Sequence, residues 1–295
     1  MKDQDPRAVL VTGASTGIGE ACALHLDRIG FRVFAGVRRD GDGAALRQRA
    51  SDRLTPVMLD VTDGASIAAA AAQIAESVGA AGLFGLVNNA GVSVAGPLEF
   101  IPLDDFRRQL EVNVTGQLAV TQAMLPLIRA AHGRVVNIGS VSGKLATPFV
   151  GPYCASKFAL EALSDALRIE LRPWRIPVSL VEPGSIATPI WEKAQAAADD
   201  MERRLPARAH ELYGAAIAAV REMAKKTAAR GIPPARVAAA VAHALTAKRP
   251  RTRYPVGVDA RIQGVIAGVV PDGLRDALVA QQMGLPGAPA GVDQG

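Results

Sequence analysis

The sequence predicts an α/β fold: a doubly wound parallel sheet of about seven strands, covered on both faces by helices and followed by a helical C-terminal extension. Three observations carry this expectation. Short aliphatic runs alternate with longer runs of helical period along most of the chain. The first of them passes through a glycine-rich turn directly into a helical pattern. With 295 residues, 49% hydrophobic yet only 4% aromatic, the chain can bury one large aliphatic core without a second domain.

Taken in order, Ala8-Val9-Leu10-Val11 opens a strand over 8–12, and a helix over 18–29 starts where the chain leaves the glycine turn. Further strands are expected near 31–37, 55–59, 83–88, 134–139 and 177–181, with helices near 43–50, 64–78, 103–130 and 152–171. The strand bodies are aliphatic throughout, as strands buried on both faces require. Residues 7–192 make the core of a single domain that extends over 1–283. Past the core come an Ala-rich helical stretch from Trp191 to Arg230, a helix near 234–247 and an extension over 248–283. The 190–230 segment should carry specificity and act as a lid. Residues 284–295, rich in Gly, Pro and Ala, read as a disordered tail.

The turn Thr12-Gly13-Ala14-Ser15-Thr16-Gly17-Ile18-Gly19 spaces its glycines G-x-x-x-G-x-G. Such a turn permits close backbone approach, and the free amides and positive dipole end of the following helix attract a pyrophosphate. In open parallel sheets ligands bind beyond the carboxyl ends of the strands, where Gly13, Asn89, Ser140 and Pro183 should converge. The segment Tyr153-Cys154-Ala155-Ser156-Lys157 belongs to the same neighbourhood. Residues four apart share a helix face, so the Lys157 ammonium can sit near the Tyr153 hydroxyl and favour its ionised form. Bringing a phenol from ~10 to neutrality takes roughly 4 kcal/mol, which one ammonium and a cationic cofactor ring would supply in a dry site. That pairing suits proton transfer at an alcohol or carbonyl. A chance match on an ordinary helix is the alternative, and the separate glycine turn weighs against it.

Together with Asn88-Asn89-Ala90-Gly91, Asn113, Ser140 and Pro183-Gly184, these motifs make the chain resemble the short-chain dehydrogenase/reductase family, of Rossmann-type fold, over roughly residues 7–192. Gly85-Leu86-Val87-Asn88-Asn89-Ala90-Gly91, Met58-Leu59-Asp60-Val61-Thr62 and Val181-Glu182-Pro183-Gly184 are most similar to its retinol and hydroxysteroid dehydrogenase branch. The resemblance implies direct hydride transfer between a nicotinamide and a substrate carbon, with no metal. It implies that Tyr153 exchanges a proton with the substrate oxygen, that Ser140 hydrogen-bonds that oxygen, and that Lys157 serves both Tyr153 and the nicotinamide ribose. Asn113 would hold a water connecting Lys157 to solvent. Gly13, Ser15, Thr16, Gly17, Ile18 and Gly19 would cradle the pyrophosphate, Asp60 and Val61 would line the adenine pocket, and Asn89, Ala90 and Gly91 would face its ribose. Pro183, Gly184, Ile186 and Thr188 would form the loop under the nicotinamide. A homodimer or homotetramer built on the helices near 103–130 and 152–171 is implied as well.

Cofactor choice turns on Phe34-Ala35-Gly36-Val37-Arg38-Arg39, where an NAD-specific chain usually places an acid on the ribose hydroxyls. Arg38 can pair with a 2′-phosphate and stack on adenine, helped by Ser15 and Thr16, so NADP(H) is favoured. Two solvated loop arginines would leave NAD(H) as the alternative. Leu145, Phe149, Val150, Ile190, Trp191 and Met223 could wall an apolar pocket beside Tyr153, which favours a lipophilic alcohol or carbonyl such as a retinoid or steroid. Acyl-thioester ketones or small polar carbonyls are the second reading. A dinucleotide-sensing protein without turnover is the third, and retention of both Tyr153 and Lys157 weighs against it.

Residues 201–276 hold 14 basic and 6 acidic side chains, a local balance of +8 in a chain of net charge +5. The densest part, Lys248-Arg249-Pro250-Arg251-Thr252-Arg253, precedes the apolar run Val265-Ile266-Ala267-Gly268-Val269-Val270. Such a segment can make weak peripheral contact with an anionic membrane; solvated helix faces or a subunit contact explain the same composition. Few aromatics interleave with the basic residues, which argues against nucleic acid as a partner. Two cysteines, Cys22 and Cys154, and four scattered histidines show no metal-ligand spacing. With no apolar leader at the start, the expectation is a reduced, metal-free cytoplasmic protein.

Overall fold

The computed structural model describes residues 7–283 and Leu285. Apart from Leu285, the expected C-terminal tail lies outside the described residues. Seven strands, β1 (Ala8–Val11), β2 (Arg32–Val37), β3 (Leu54–Met58), β4 (Gly85–Asn88), β5 (Arg134–Ile138), β6 (Val178–Pro183) and β7 (Arg253–Val256), form one sheet in the order β3-β2-β1-β4-β5-β6-β7. Every neighbouring pair is parallel. The order reverses direction at β1, so β1 and β4 diverge to their own helices and leave a crevice beyond their carboxyl ends. The doubly wound fold expected from the alternation of runs is therefore the fold of the chain, and its seventh strand begins inside the basic segment at Arg253.

Alternation along β1 builds two cores at once, because successive side chains point to opposite faces. Val9 and Val11 join the layer packed under α1 (Gly17–Arg28) and α9 (Ala235–Thr246), together with Cys22, Leu26, Val241 and Leu245. Ala8 and Leu10 join the layer under α3 (Gly64–Val78) and α5 (Gly116–Ala130), with Ile67, Ile74, Val120, Met124 and Ile128. The remaining helix of the first half, α2 (Asp40–Arg47), starts three residues before the expected 43–50 segment and packs on β3.

Two expected helices are each divided. The 103–130 segment is α4 (Leu103–Leu110) and α5, joined by a π-helical turn at Glu111–Thr115. The turn brings Gly116 within 2.6 Å, at the position of a would-be Cβ, of the Val61 carbonyl oxygen, so the helix closes on the end of the β3 loop only because that residue has no side chain. The 191–230 stretch is α7 (Ile190–Arg204) and α8 (Ala207–Ala229), broken where Leu205 turns extended before Pro206. The disfavoured αR conformation of a residue preceding proline explains the break. The long α6 (Gly151–Glu170) runs uninterrupted, and α10 (Val258–Val269) and α11 (Asp272–Gln282) complete the C-terminal region. Among the described residues, no helix is long and apolar enough to cross a membrane.

Leu10 is fully buried at the centre of the sheet, in a strand paired on both sides. Leu10→Ala should lower the unfolding free energy by about 3 kcal/mol, read as a reduced denaturation midpoint at constant slope. A loss under about 1 kcal/mol would mean that the second core collapses around the gap.

Candidate active site

The glycine turn is built as a cradle. Gly13 and Gly17 both take positive φ, at +62° and +65°. A Cβ on Gly19 would lie 2.2 Å from the Gly13 carbonyl oxygen and 2.4 Å from Asn89 Nδ2. The turn is fastened to the end of β4 by Thr12, buried completely, whose Oγ1 accepts from the Asn89 and Ala90 amides at 2.9 and 3.0 Å. Asn89 Nδ2 donates in return to the carbonyls of Thr12 and Gly13 at 2.9 and 3.0 Å. Asn89 thus spends both amide hydrogens on shaping the turn. Thr12, which chemistry-bearing motifs did not single out, is the reciprocal partner; only its place directly before Gly13 could have signalled it.

A cavity of about 1020 Å³ runs along the carboxyl edge of the sheet. At one end its wall contains Gly13, Ser15, Thr16, Gly17 and Ile18, then Arg38, Asp60 and Val61, then Asn89, Ala90 and Gly91. Gly19 is not on this wall: it is buried beneath the turn, and its part is to let the turn close. Arg38 is exposed at the cavity rim, whereas Arg39 sits outside at the start of α2. Asp60 faces the same space, and its carboxylate accepts from the Thr62 amide at 3.0 Å and hydroxyl at 2.8 Å. The Thr62 amide bond, and beyond it the Arg38 charge, hold this carboxyl below its usual range against the opposing effect of burial.

At the other end stand Ser140, Tyr153 and Lys157. Ser140, two residues past the end of β5, caps the short 3₁₀ turn Val141–Gly143, its Oγ accepting from the Ser142 amide at 3.1 Å. Tyr153 and Lys157 lie one turn apart on α6, and all three line the cavity. Burial pushes the Tyr153 phenol above its ordinary value, while a hydrogen bond with the Ser140 side chain pulls it down. Lys157 is 4% exposed; its ammonium donates to the Ile138 carbonyl at 2.8 Å and lies 5.6 Å from the Tyr153 ring centre. Desolvation lowers its pKa to about 8. The expected direct lowering of the phenol by the ammonium is therefore not the dominant influence here. Burial and the Ser140 hydroxyl act on the phenol in opposite directions, and the ammonium, itself desolvated, is aimed at a main-chain carbonyl.

Asn113 lies in the π-helical turn, fully buried and off the cavity wall. Its Oδ1 accepts from the Val92 amide at 2.9 Å, and its Nδ2 donates to the Val92 carbonyl and to Ser156 Oγ, both at 3.0 Å. The side chain so ties the loop after β4 to α6 one residue from Lys157. Behind it, Gln109 holds the same loop by donating to the Val92 carbonyl at 2.8 Å and accepting from the Val94 amide at 2.6 Å.

At the end of β6 and in the loop that follows, Pro183, Gly184, Ile186 and Thr188 all reach the cavity, as expected. What holds this loop is Asp259 at the start of α10. Its Oδ2 accepts from the Ser185 amide at 2.7 Å, and its carboxylate occupies the space a Gly184 Cβ would take, with contacts of 2.2–2.4 Å. Asp259 is 74 residues from Ser185 in sequence, so no local pattern announced it. Trp191 Nε1 donates to the Ile186 carbonyl at 2.7 Å, tying α7 to the same loop.

Of the six side chains expected to wall the apolar end, Leu145, Val150, Ile190, Trp191 and Met223 do so, joined by Val220 of α8 and by Val279 and Met283 at the far C-terminus. Phe149 does not. Its backbone takes φ +65°, and its ring meets Tyr213 of α8 edge-on at 6.1 Å instead of facing the cavity.

Because a methyl at position 19 would strike the Gly13 carbonyl oxygen and the Asn89 amide nitrogen that holds the turn, Gly19→Ala should weaken NAD(P)H binding by about tenfold or more with the far-UV circular dichroism unchanged. Equal affinity would show that the turn does not form the pyrophosphate cradle.

Comparison with known proteins agrees with this geometry. The family described as short chain dehydrogenase matches residues 7–199. Human retinol dehydrogenase 5 is 42% identical over 92% of this chain and 87% of its own length. Bovine 17-beta-hydroxysteroid dehydrogenase type 6 is 39% identical over 94% and 89%, and bovine mitochondrial D-beta-hydroxybutyrate dehydrogenase 41% over 84% and 76%. A short chain dehydrogenase from Burkholderia cenocepacia, solved in complex with NADP, superimposes with a TM-score of 0.69 at 26% identity, covering 94% of this chain and 98% of that one. With the parallel seven-stranded sheet, the glycine cradle and these identities in hand, the chain belongs to the short-chain dehydrogenase/reductase family of NAD(P)-dependent oxidoreductases.

Proposed function

We propose that the protein interconverts a lipophilic alcohol and its carbonyl with NADP(H) as the hydride partner. The observation that carries this reading is the cavity itself. It joins a dinucleotide cradle with an arginine at its rim to a Ser140–Tyr153 hydroxyl pair that opens onto a mainly aliphatic chamber. The glycine turn fits a pyrophosphate because Gly13 and Gly19, where any side chain would strike Ala90, Asn89 or the turn itself, let the turn close at the start of α1, whose N-terminal end attracts an anion. Ser15, Thr16 and Gly17 would hold that group, and Arg38 would pair with a 2′-phosphate. When bound, the nicotinamide supplies or accepts the hydride.

The chain's own residues carry out the rest. Ser140 and Tyr153 hydrogen-bond the substrate oxygen and fix the reacting carbon; Tyr153 gives its proton to that oxygen in reduction and takes it back in oxidation. Lys157, with its ammonium anchored on Ile138, keeps a positive charge near the phenol and binds the nicotinamide ribose. Pro183, Gly184, Ile186 and Thr188 support the nicotinamide side of the cavity, and Val61 with Asp60 the adenine side. Trp191, Ile190, Met223 and Val220, from α7 and α8, exclude water from the chamber. The retinol and hydroxysteroid dehydrogenases among the relatives support a lipophilic substrate. The hydroxybutyrate dehydrogenase, together with Gln263 and Gln282 in the wall, supports a second reading, a smaller polar carbonyl.

A panel of retinals, ketosteroids, fatty aldehydes, acyl-thioester ketones and small keto acids, run with NADPH and NADH, separates these readings. Turnover confined to the lipophilic classes and favouring NADPH is the expected result; turnover of keto acids alone would replace the substrate assignment. Arg38→Ala should reduce the preference for NADPH over NADH by about tenfold or more, and an unchanged ratio would remove Arg38 from 2′-phosphate recognition. Because burial raises the Tyr153 pKa, the phenol keeps its proton through neutral pH. Reduction should therefore hold its rate at neutral pH and fall on the alkaline side, while oxidation rises with pH. Tyr153→Phe should lower both by about 10²- to 10⁴-fold; retention of either limb in that variant would give the proton-transfer role to another group.

A further inference from the structure

The reaction uses Ser140, Tyr153 and Lys157, yet a second set of ionisable side chains lies directly behind them. Glu161 is one helical turn beyond Lys157 on α6, Glu182 lies in β6 directly before its last residue Pro183, Lys144 follows the 3₁₀ turn that Ser140 caps, and Arg253 begins β7. The Lys144 ammonium is 3.2 Å from Glu161 Oε2 and 3.3 Å from Glu182 Oε1. The Arg253 guanidinium donates to Glu161 Oε2 at 2.9 and 3.0 Å and to Asp165 at 2.8 Å, and its Nε lies 3.3 Å from Glu182 Oε1. The carboxylate side chains are only 12% and 8% exposed at Glu161 and Glu182. Four separate segments meet on these two carboxyls.

We infer that Glu161 and Glu182, with Lys144 and Arg253, are positioning residues for the reaction: they fasten the turn bearing Ser140 and the strand end bearing Pro183 and Gly184 to the helix bearing Tyr153 and Lys157. The fit is close at the centre of this brace, where a Cβ on Gly143 would lie 2.9 Å from the Lys157 carbonyl oxygen and 3.2 Å from Glu161 Cγ. A small displacement of either carboxyl is thereby passed to the Ser140 turn. Glu161 Oε1 is buried without a hydrogen-bond donor, Glu182 Oε1 meets only the ion-pair contacts from Lys144 and Arg253 at 3.3 Å, and the two carboxyl groups are within reach of each other. One proton shared between the two carboxyl groups joins α6 to β6.

The proton gives the brace a pH dependence. Burial, and then Glu161 as hydrogen-bond partner and like charge, raise Glu182 to about 7, against the lowering effect of Lys144. The groups facing it are Lys144, Glu161 and Arg253, with Asp165 and Arg168 further along α6. A carboxyl raised in the folded state contributes stability below its ordinary value, and that contribution is lost as pH rises to its folded value. The brace is complete on the acid side of neutrality and loosens above it, when two carboxylates share the site.

Glu182→Gln keeps the shape and a hydrogen-bond donor but cannot ionise. NADPH binding, followed by nicotinamide fluorescence from about pH 6 to about pH 8, should weaken in the wild type relative to this variant by about threefold or more across the interval. The 2′-phosphate titrates equally in both proteins, so the ratio isolates the brace. A ratio constant across that interval overturns the inference. This arm needs no substrate, so it stands apart from the lipophilic assignment. Lys144→Met, which cuts the tie to the Ser140 turn and takes a cation from Glu161 and Glu182, should lower kcat several-fold on any compound the protein turns over. A variant that loses thermal stability yet matches the wild-type kcat at a temperature where both are folded would reduce the cluster to a structural role and overturn it.

Discussion

The site depends on how α6 is seated. A lysine ammonium buried to 4% exposure must be given a partner inside the protein, and Lys157 finds the carbonyl of Ile138 at the end of β5. That single bond fixes the height of the helix above the sheet and with it the position of Tyr153. The rest of α6 is held to the same register by polar contacts that the apolar core could not specify. Ser156 receives Asn113, Ser164 receives the Asn137 side chain at 2.8 Å, and Glu161 and Asp165 receive Arg253. Apolar packing alone would allow the helix to slide by a fraction of a turn; directional bonds to buried groups do not.

The same principle organises the other loops of the crevice. Each is pinned by a side chain from another part of the sequence: the glycine turn by Asn89, the loop after β4 by Asn113 and Gln109, the loop after β6 by Asp259, with Trp191 as a local tie five residues on. These ties are a scaffold in which the hydroxyl pair and the cradle are pre-arranged, so little reorganisation is left to the moment of reaction. The C-terminal region then closes the chamber, since α7, α8, α10 and α11 all contribute to its wall. Over that wall α8 is held by Tyr213, whose hydroxyl donates to Glu99 at 2.7 Å and whose ring meets Phe100 and Phe149 edge-on.

How much of this was legible in the sequence follows from the range of the interactions involved. The strands could be read because each is a short aliphatic run, and the cradle because G-x-x-x-G-x-G falls between a strand and a helix. Tyr153 and Lys157 could be read because their spacing is a property of one helix. The π-helical turn at Glu111–Thr115 could not, since the apolar period runs through it unchanged and what forces it is the bonding of Asn113 to Val92 and Ser156. Phe149 was placed in the pocket on hydrophobicity alone, which is blind to the positive φ that turns its ring toward Tyr213. Asp259 and the Glu161–Glu182 pair escaped for the same reason: they act across segments that only the fold brings together. The basic character of residues 248–253 was visible, but not that Arg253 is neutralised by three carboxylates inside the protein.

The central claim is that burial and the Ser140 hydroxyl set the protonation of Tyr153, with Lys157 held back on Ile138. Spectrophotometric titration of the phenol in the protein without cofactor measures this directly, with Tyr153→Phe assigning the signal against Tyr213 and Tyr254. The account predicts that Tyr153 ionises above the ordinary tyrosine range, that Ser140→Ala moves it higher still, and that Lys157→Met moves it less than Ser140→Ala does. A Tyr153 that ionises near neutrality in the wild type, and rises only when Lys157 is removed, would contradict it.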